Sequence, residues 1–481
     1  MKILKYSLLA IVLLSTISCF EDRDDNGILA SDISDFVWKG MNVFYVYKDN
    51  VPDLANDRFS SNSEYGSYLN SFSAPEDLFE SVIYARETVD RYSIILDDYI
   101  AFELLLEGFS KGNGLRYYSF ANPQNSSERL LVIRQVIPSS PGDDLNLQRG
   151  QFYNQIDGVT LTADNISGLL SSDTYTLHEV DHMDNGTPET TDDSFVSNGT
   201  TVSITKATYN ENPVHGASII DLDGENLGYL NYNFFNASYN TQLNNAFGLF
   251  QSNNIQHLVI DLRYNPGGKI NTATLLGSMV TGQHNGELFA RLVYNSELQN
   301  SNTDYNFTNS FDGSTINSLS LEKVYVLTTG SSASASEMII NSLRPYIEVV
   351  QIGSITEGKS QASGTIYDSS DFGKTGANPN HTYALQPLIA ITQNKNGNSV
   401  DSNGLIPDIA LTESVYNLGL FGDVSEPYLA AAIADIQGIG RMAPPTELVP
   451  FKNETRTHKF KNRMYIDEDS APREFRKQHF D

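Results

Sequence analysis

A single cysteine, Cys19, in 481 residues excludes an internal disulfide framework and any multi-cysteine metal site or iron–sulfur cluster. Positive charge is scarce as well. The chain has 31 Lys and Arg against 59 Asp and Glu, a formal balance of −28, which is unsuited to the backbone of a nucleic acid. Charged residues make up only 19%, too few for a coiled coil, while 40% hydrophobic and 11% aromatic content is that of a globular chain rather than a disordered one. At roughly 150 residues per domain the length allows two to four domains.

Long apolar runs are missing except at the start. Lys2 and Lys5 precede the run Tyr6 to Leu14, followed by the small and polar stretch Ser15 to Ser18. This is the pattern of a signal peptide, and the run is too short to span about 30 Å of hydrocarbon. Cys19 stands where a lipoprotein cleavage site would put it, so residues 1–18 are expected to be a signal peptide and Cys19 a lipid anchor. Acyl chains contribute about 0.8 kcal/mol per buried methylene, enough to tether a chain without a spanning helix. Glu21, Asp22, Asp24 and Asp25 follow, resembling the acidic stretches of some surface-exported lipoproteins. An outer-membrane lipoprotein of a Gram-negative-type envelope, periplasmic or surface-exposed, is the expected location.

Apolar residues recur at helical spacing in Ile33, Phe36, Val37, Met41 and Phe44, then again in Leu78, Val82 and Ile83, which predicts a helical unit over 32–100. From about Ala101 to Lys206 short alternating runs are punctuated by Gly, Pro, Asn and Asp, predicting a mostly β module over 101–207. Over 208–435 apolar strands such as His257–Leu262 and Lys323–Leu327 alternate with helical stretches such as Thr272–Val280 and Ala335–Leu343, the mark of an α/β core. Residues 19–31 form an acidic linker. The tail, 436–481, has few clustered aliphatics and reads as extended or partly disordered. There is no internal repeat.

Three segments bear on chemistry. Ser334-Ala-Ser-Glu337 stands between a predicted strand and a predicted helix, where unpaired N–H groups and the helix dipole can hold an oxyanion beside a hydroxyl. Taken alone it is more often a capping box. A serine needs a base, and the eight histidines are scattered; Lys359, in a glycine-flanked loop, could serve if burial kept it uncharged, though an isolated loop lysine is more often solvated. Asp261-Leu-Arg-Tyr-Asn-Pro-Gly-Gly268 runs from a buried strand into a turn whose adjacent glycines allow close backbone approach, or simply link strand to helix. His178-Glu179-Val-Asp-His182 spells a zinc-peptidase signature, but Asn185-Gly-Thr-Pro188 leaves no room for a long helix, so a strand is expected and no metal or cofactor is called for.

Together these segments resemble the C-terminal processing, or tail-specific, serine peptidases. That resemblance implies Ser334 as nucleophile and Lys359, 25 residues on, as base, with the glycines Gly267 and Gly268 and the N–H of Ala335 as the oxyanion hole. It implies a ClpP/crotonase-like α/β peptidase core behind a PDZ-like module, the latter matched by Val132 to Gly150 with Ile156-Asp-Gly158. Gly112, Asn113, Gly114 and Leu115 would form the loop that captures a substrate C-terminus, and polypeptides with exposed C-termini would be the partners. Gly404-Leu-Ile-Pro-Asp408 also fits. Relatives often place a Gln four residues after the lysine; here Ser363 stands there, with Gln361 nearest, and the residue orienting Lys359 is unassigned. The same fold also serves non-catalytic binding proteins, so a surface binding lipoprotein is the alternative, with a zinc peptidase through His178 and His182 more remote.

Overall fold

The computed structural model describes residues 30–439 and the pair 464–465. The expected signal peptide, Cys19 and the acidic linker up to 29 lie outside them, as does the rest of the tail beyond 439. The first helix, Ala30–Phe44, buries Ile33, Phe36, Val37, Met41 and Phe44, whose three- and four-residue spacing makes one stripe. Each such side chain contributes about 1.5–3 kcal/mol on full burial. The stripe packs on Leu78 and Phe79 of the helix Pro75–Ser81 and, across the molecule, on Ile366, Phe372 and Leu385. A Cβ on Gly40 would lie 2.9 Å from Leu385, so the glycine sets how closely the helix approaches. The N-terminal unit thus shares the core's hydrophobic interior.

The expected boundary near residue 100 falls inside a helix, Tyr99–Leu106, where the sequence reading has strands beginning at Ala101. Asp98 accounts for it: its carboxylate accepts the N–H groups of Ile100 and Ala101, capping a run of good helix formers. An antiparallel sheet follows, in the spatial order Leu115–Asn122, Asn125–Val136, Phe152–Ile156, Thr174–Met183, Ser194–Thr205. It has its own interior, with Leu131, Ile133, Tyr153, Ile156 and Leu177 buried. The His178–His182 segment lies on its strand Thr174–Met183 and not on a helix. There His178 Nε2 accepts the N–H of Gly158 and His182 pairs with Asp193, and among the described residues no cluster of three metal-ligating side chains occurs.

In the core, Glu225–Tyr232, His257–Asp261, Lys323–Thr328, Glu348–Gly353 and Ile409–Ala410 run parallel, with Val214–Leu222 antiparallel at one edge. Leu258, Ile260, Val324 and Val326 face the helices Asn240–Ser252, Ile270–Thr281 and Ala335–Leu343; Val259, Tyr325 and Leu327 face the helix Pro427–Ile436. Both faces are covered, which is why these strands are continuous apolar runs. A second sheet takes in Gly268–Lys269, Gln361–Ser363, Leu388–Gln393, Leu288–Tyr294 and Thr303–Asn306. The ends of the parallel strands and the turns of this second sheet meet around Ser334.

Candidate active site

The strand Lys323–Thr328 leads through a turn to Ser334, which immediately precedes the helix Ala335–Leu343. Two serines bind the turn to the neighbouring Asn-Pro-Gly-Gly segment: Ser332 Oγ donates to the carbonyl of Leu262 at 2.8 Å and Ser336 Oγ to that of Asn265 at 2.9 Å. Ser334 itself has φ 62° and ψ −114°, a backbone conformation rare outside glycine. It is fully buried. Ser334 and Glu337 have the layout of a capping box, but the well-formed half is the glutamate's, whose Oε2 accepts the Ser334 N–H at 2.8 Å. The Ser334 Oγ has no hydrogen-bond partner among the described residues.

Glu337 reaches further than its own helix. The same Oε2 accepts the N–H of Lys359 at 2.9 Å, while Oε1 accepts the N–H of Gly358 at 2.7 Å and the hydroxyl of Thr356. One carboxylate oxygen therefore holds the main chains of Ser334 and Lys359 together. Burial raises the Glu337 carboxyl above its ordinary value, and these four donated hydrogen bonds pull it back. Lys359 is fully buried, its Nζ 5.1 Å from the centre of the Tyr92 ring. Gly358, at φ 84°, permits this approach, since a Cβ there would lie 2.2 Å from the carbonyl of Ser402.

The N-terminal unit braces the lysine loop. Arg91 donates to Glu357 Oε1 at 3.2 Å and to the carbonyls of Glu357 and Ser402, and Tyr92 donates to Glu357. Gln361 donates to the Tyr47 hydroxyl at 2.8 Å, and its Oε1 is buried with no partner among the described residues. Glu337, Thr356, Tyr47, Arg91 and Tyr92 are site residues that the sequence reading does not assign. Glu337 alone carried a signal, as the last residue of its motif.

The glycines need one correction. Gly267, at φ 108°, packs so tightly that a Cβ would lie 2.7 Å from that of Ser334, but its N–H is taken by Asn265 Oδ1 at 2.8 Å. Its contribution is proximity, not a free donor. Gly268 differs. Its neighbours Gly267 and Lys269 bond Phe235 through a parallel bridge, so its own N–H points to the opposite side. Ala335 is the first residue of its helix, where an N–H has no intrahelical acceptor. In the β module, Leu115 likewise offers no donor, because its N–H bonds Asn113 Oδ1 at 2.9 Å; Gly112 ends a strand and Gly114 packs on Ser140.

A buried serine in strained backbone, a buried lysine tied to it through one carboxylate, and flanking main-chain donors on an α/β core define a multidomain protein with a helical N-terminal unit and a β-rich PDZ-like module. Residues 226–411 match Peptidase family S41 and residues 32–94 the Peptidase S41 N-terminal domain. Over those residues this chain is similar to that family, and curated relatives are by name CtpA-like serine or carboxyl-terminal-processing proteases. It is similar to a putative S41 protease from Bacteroides fragilis NCTC 9343 whose structure is solved, with 26% identity over 84% of this chain and 97% of that one and a TM-score of 0.69. It is 24% identical over 196 residues to a probable CtpA-like serine protease of Staphylococcus epidermidis, covering 40% of this chain and 35% of the relative. It is 26% identical over 159 residues to a carboxyl-terminal-processing protease of Picosynechococcus, covering 33% and 35%. The matched stretches span about a third of those two relatives.

Proposed function

We propose that this chain is an exported serine endopeptidase in which Ser334 attacks the scissile carbonyl and Lys359 is the base. The observation that carries the reading is the shared oxygen of Glu337, which fixes both backbones beside a hydroxyl left without a partner. Lys359 is fully buried, and in this reading its uncharged amine takes the serine proton and returns it to the leaving nitrogen. The oxyanion would rest on the N–H groups of Ala335 and Gly268, and water would release the acyl-enzyme. Polypeptides with free C-termini, recruited by the PDZ-like module, are the proposed substrates, and lipidated Cys19 the proposed anchor in the outer membrane.

The test is hydrolysis of a peptide mixture carrying free or amidated C-termini. Cleavage by the full chain should be lost in Ser334→Ala and in Lys359→Ala, and a serine-reactive phosphonate should label the parent chain at Ser334. Full activity in either variant overturns the dyad. Absence of both cleavage and labelling would instead favour a binding protein.

A further inference from the structure

The pair Met464–Tyr465 lies beyond the last helix of the body, Pro427–Ile436, yet it is built into the second sheet. It runs parallel to Gly268–Lys269 on one side, Gly268 opposite Met464 and Lys269 opposite Tyr465, and Tyr465 is opposite Ser363 on the other. Both flanks belong to the site. Gly268 follows the glycine that packs on Ser334, and Gln361–Ser363 begins two residues after Lys359. The face of Gly268 turned away from Phe235 is the face this strand meets.

A slot walled by main-chain N–H and C=O groups accepts any extended polypeptide. Charge favours the chain's own tail. Lys452, Arg456, Lys459, Lys461 and Arg463 precede Met464 with Glu454 the only acid among those twelve residues, while Asp467, Glu468 and Asp469 follow, so the basic charge lies on the approach to the strand in a chain of net charge −28. We propose that the strand Met464–Tyr465 occupies the peptide slot beside Ser334 and Lys359 in cis, and must leave before a substrate strand enters. The proposal rests on the peptidase reading only for what it inhibits. A tethered strand competes at the effective concentration its linker sets, so it lowers the apparent affinity of an incoming peptide by the fraction of time the slot is free.

Proline has no N–H and is poorly tolerated within a sheet, so the full chain carrying Met464→Pro and Tyr465→Pro should lose the strand. In a Ser334→Ala background, hydrogen exchange of the segments around Gly268–Lys269 and Gln361–Ser363 should quicken in this variant. With Ser334 intact, KM for an unstructured peptide should fall roughly fivefold if the slot is free about a fifth of the time. A synthetic peptide of residues 456–472 should restore inhibition competitively. A second full-chain variant, Lys459→Glu with Lys461→Glu and Arg463→Glu, should shift exchange and KM in the same direction. Unchanged exchange at both segments in both variants overturns the proposal, and protection that rises with protein concentration overturns it in favour of a second copy's tail. Faster exchange with no hydrolysis by any variant would leave the occupied slot standing and remove the peptidase reading.

Discussion

Ser334 occupies a backbone region that costs on the order of 1–3 kcal/mol for a residue with a side chain, and Glu337 is what holds it there. The carboxylate accepts four donors and presents none. In Glu337→Gln one oxygen becomes an NH2 group, which turns a donor toward either Thr356 and Gly358 or Ser334 and Lys359. Ser334 and Lys359, the proposed nucleophile and base, should then drift apart, and a displacement of about 1 Å costs roughly 100-fold in kcat. KM should change far less, since Glu337 is fully buried; a fall confined to KM in steady-state kinetics would refute the positioning role. Gly267→Ala acts from the other side. Its methyl would sit 2.7 Å from the Ser334 Cβ and 3.0 Å from the Ala335 N, at a φ that L residues rarely adopt. Peptide hydrolysis and phosphonate labelling should both fall sharply in that variant.

At the scale of elements, much of the site was legible because its motifs are local. The stretch from Ser334 to Glu337 sits on one turn, and the alternation of strand and helix that positions it is visible as apolar runs and helical spacing. What sequence could not supply are partners brought in from far along the chain. Tyr47, Arg91 and Tyr92 reach the lysine loop from the N-terminal unit over separations of more than 250 residues, with no motif to mark them. The helix Tyr99–Leu106 departs from the sequence pattern for a different reason: a local cap at Asp98 outweighs a pattern that turns toward strands. Arg91 shows the consequence. Arg91→Ala removes the donors that clamp Glu357 and Ser402, and should lower kcat while leaving the thermal midpoint nearly unchanged, because the arginine is partly exposed. By contrast His178→Ala, which loses only an acceptor for Gly158, should retain full hydrolysis in the presence of a chelator.

Across the whole molecule, the β module and the core are joined by buried charge. Arg149 of the module donates to Glu413 at 2.7 Å and to Tyr264 at 2.7 Å; Arg263 of the core meets Glu413, Glu426 and Asp261; and Tyr118 of the module donates to Glu413. Burial alone would raise the Glu413 carboxyl, but Arg149 and Arg263 outweigh it and bring it down to about 2 from an ordinary 4.5. A depressed carboxylate stabilises the fold fully above its unfolded value and loses that contribution as pH falls through the folded one. Removing one partner of a buried pair leaves uncompensated charge, at a cost of about 3–5 kcal/mol. Glu413→Gln should therefore lower the thermal midpoint strongly near neutrality, leaving Arg149 and Arg263 facing an amide. The gap between parent and variant should narrow as pH drops from about 4.5 toward 2, because protonation of Glu413 then imposes the same loss on the parent chain. Melting curves of the two proteins across that range measure the gap directly, and a gap independent of pH would mean that Glu413 is not the ionised bridge between module and core.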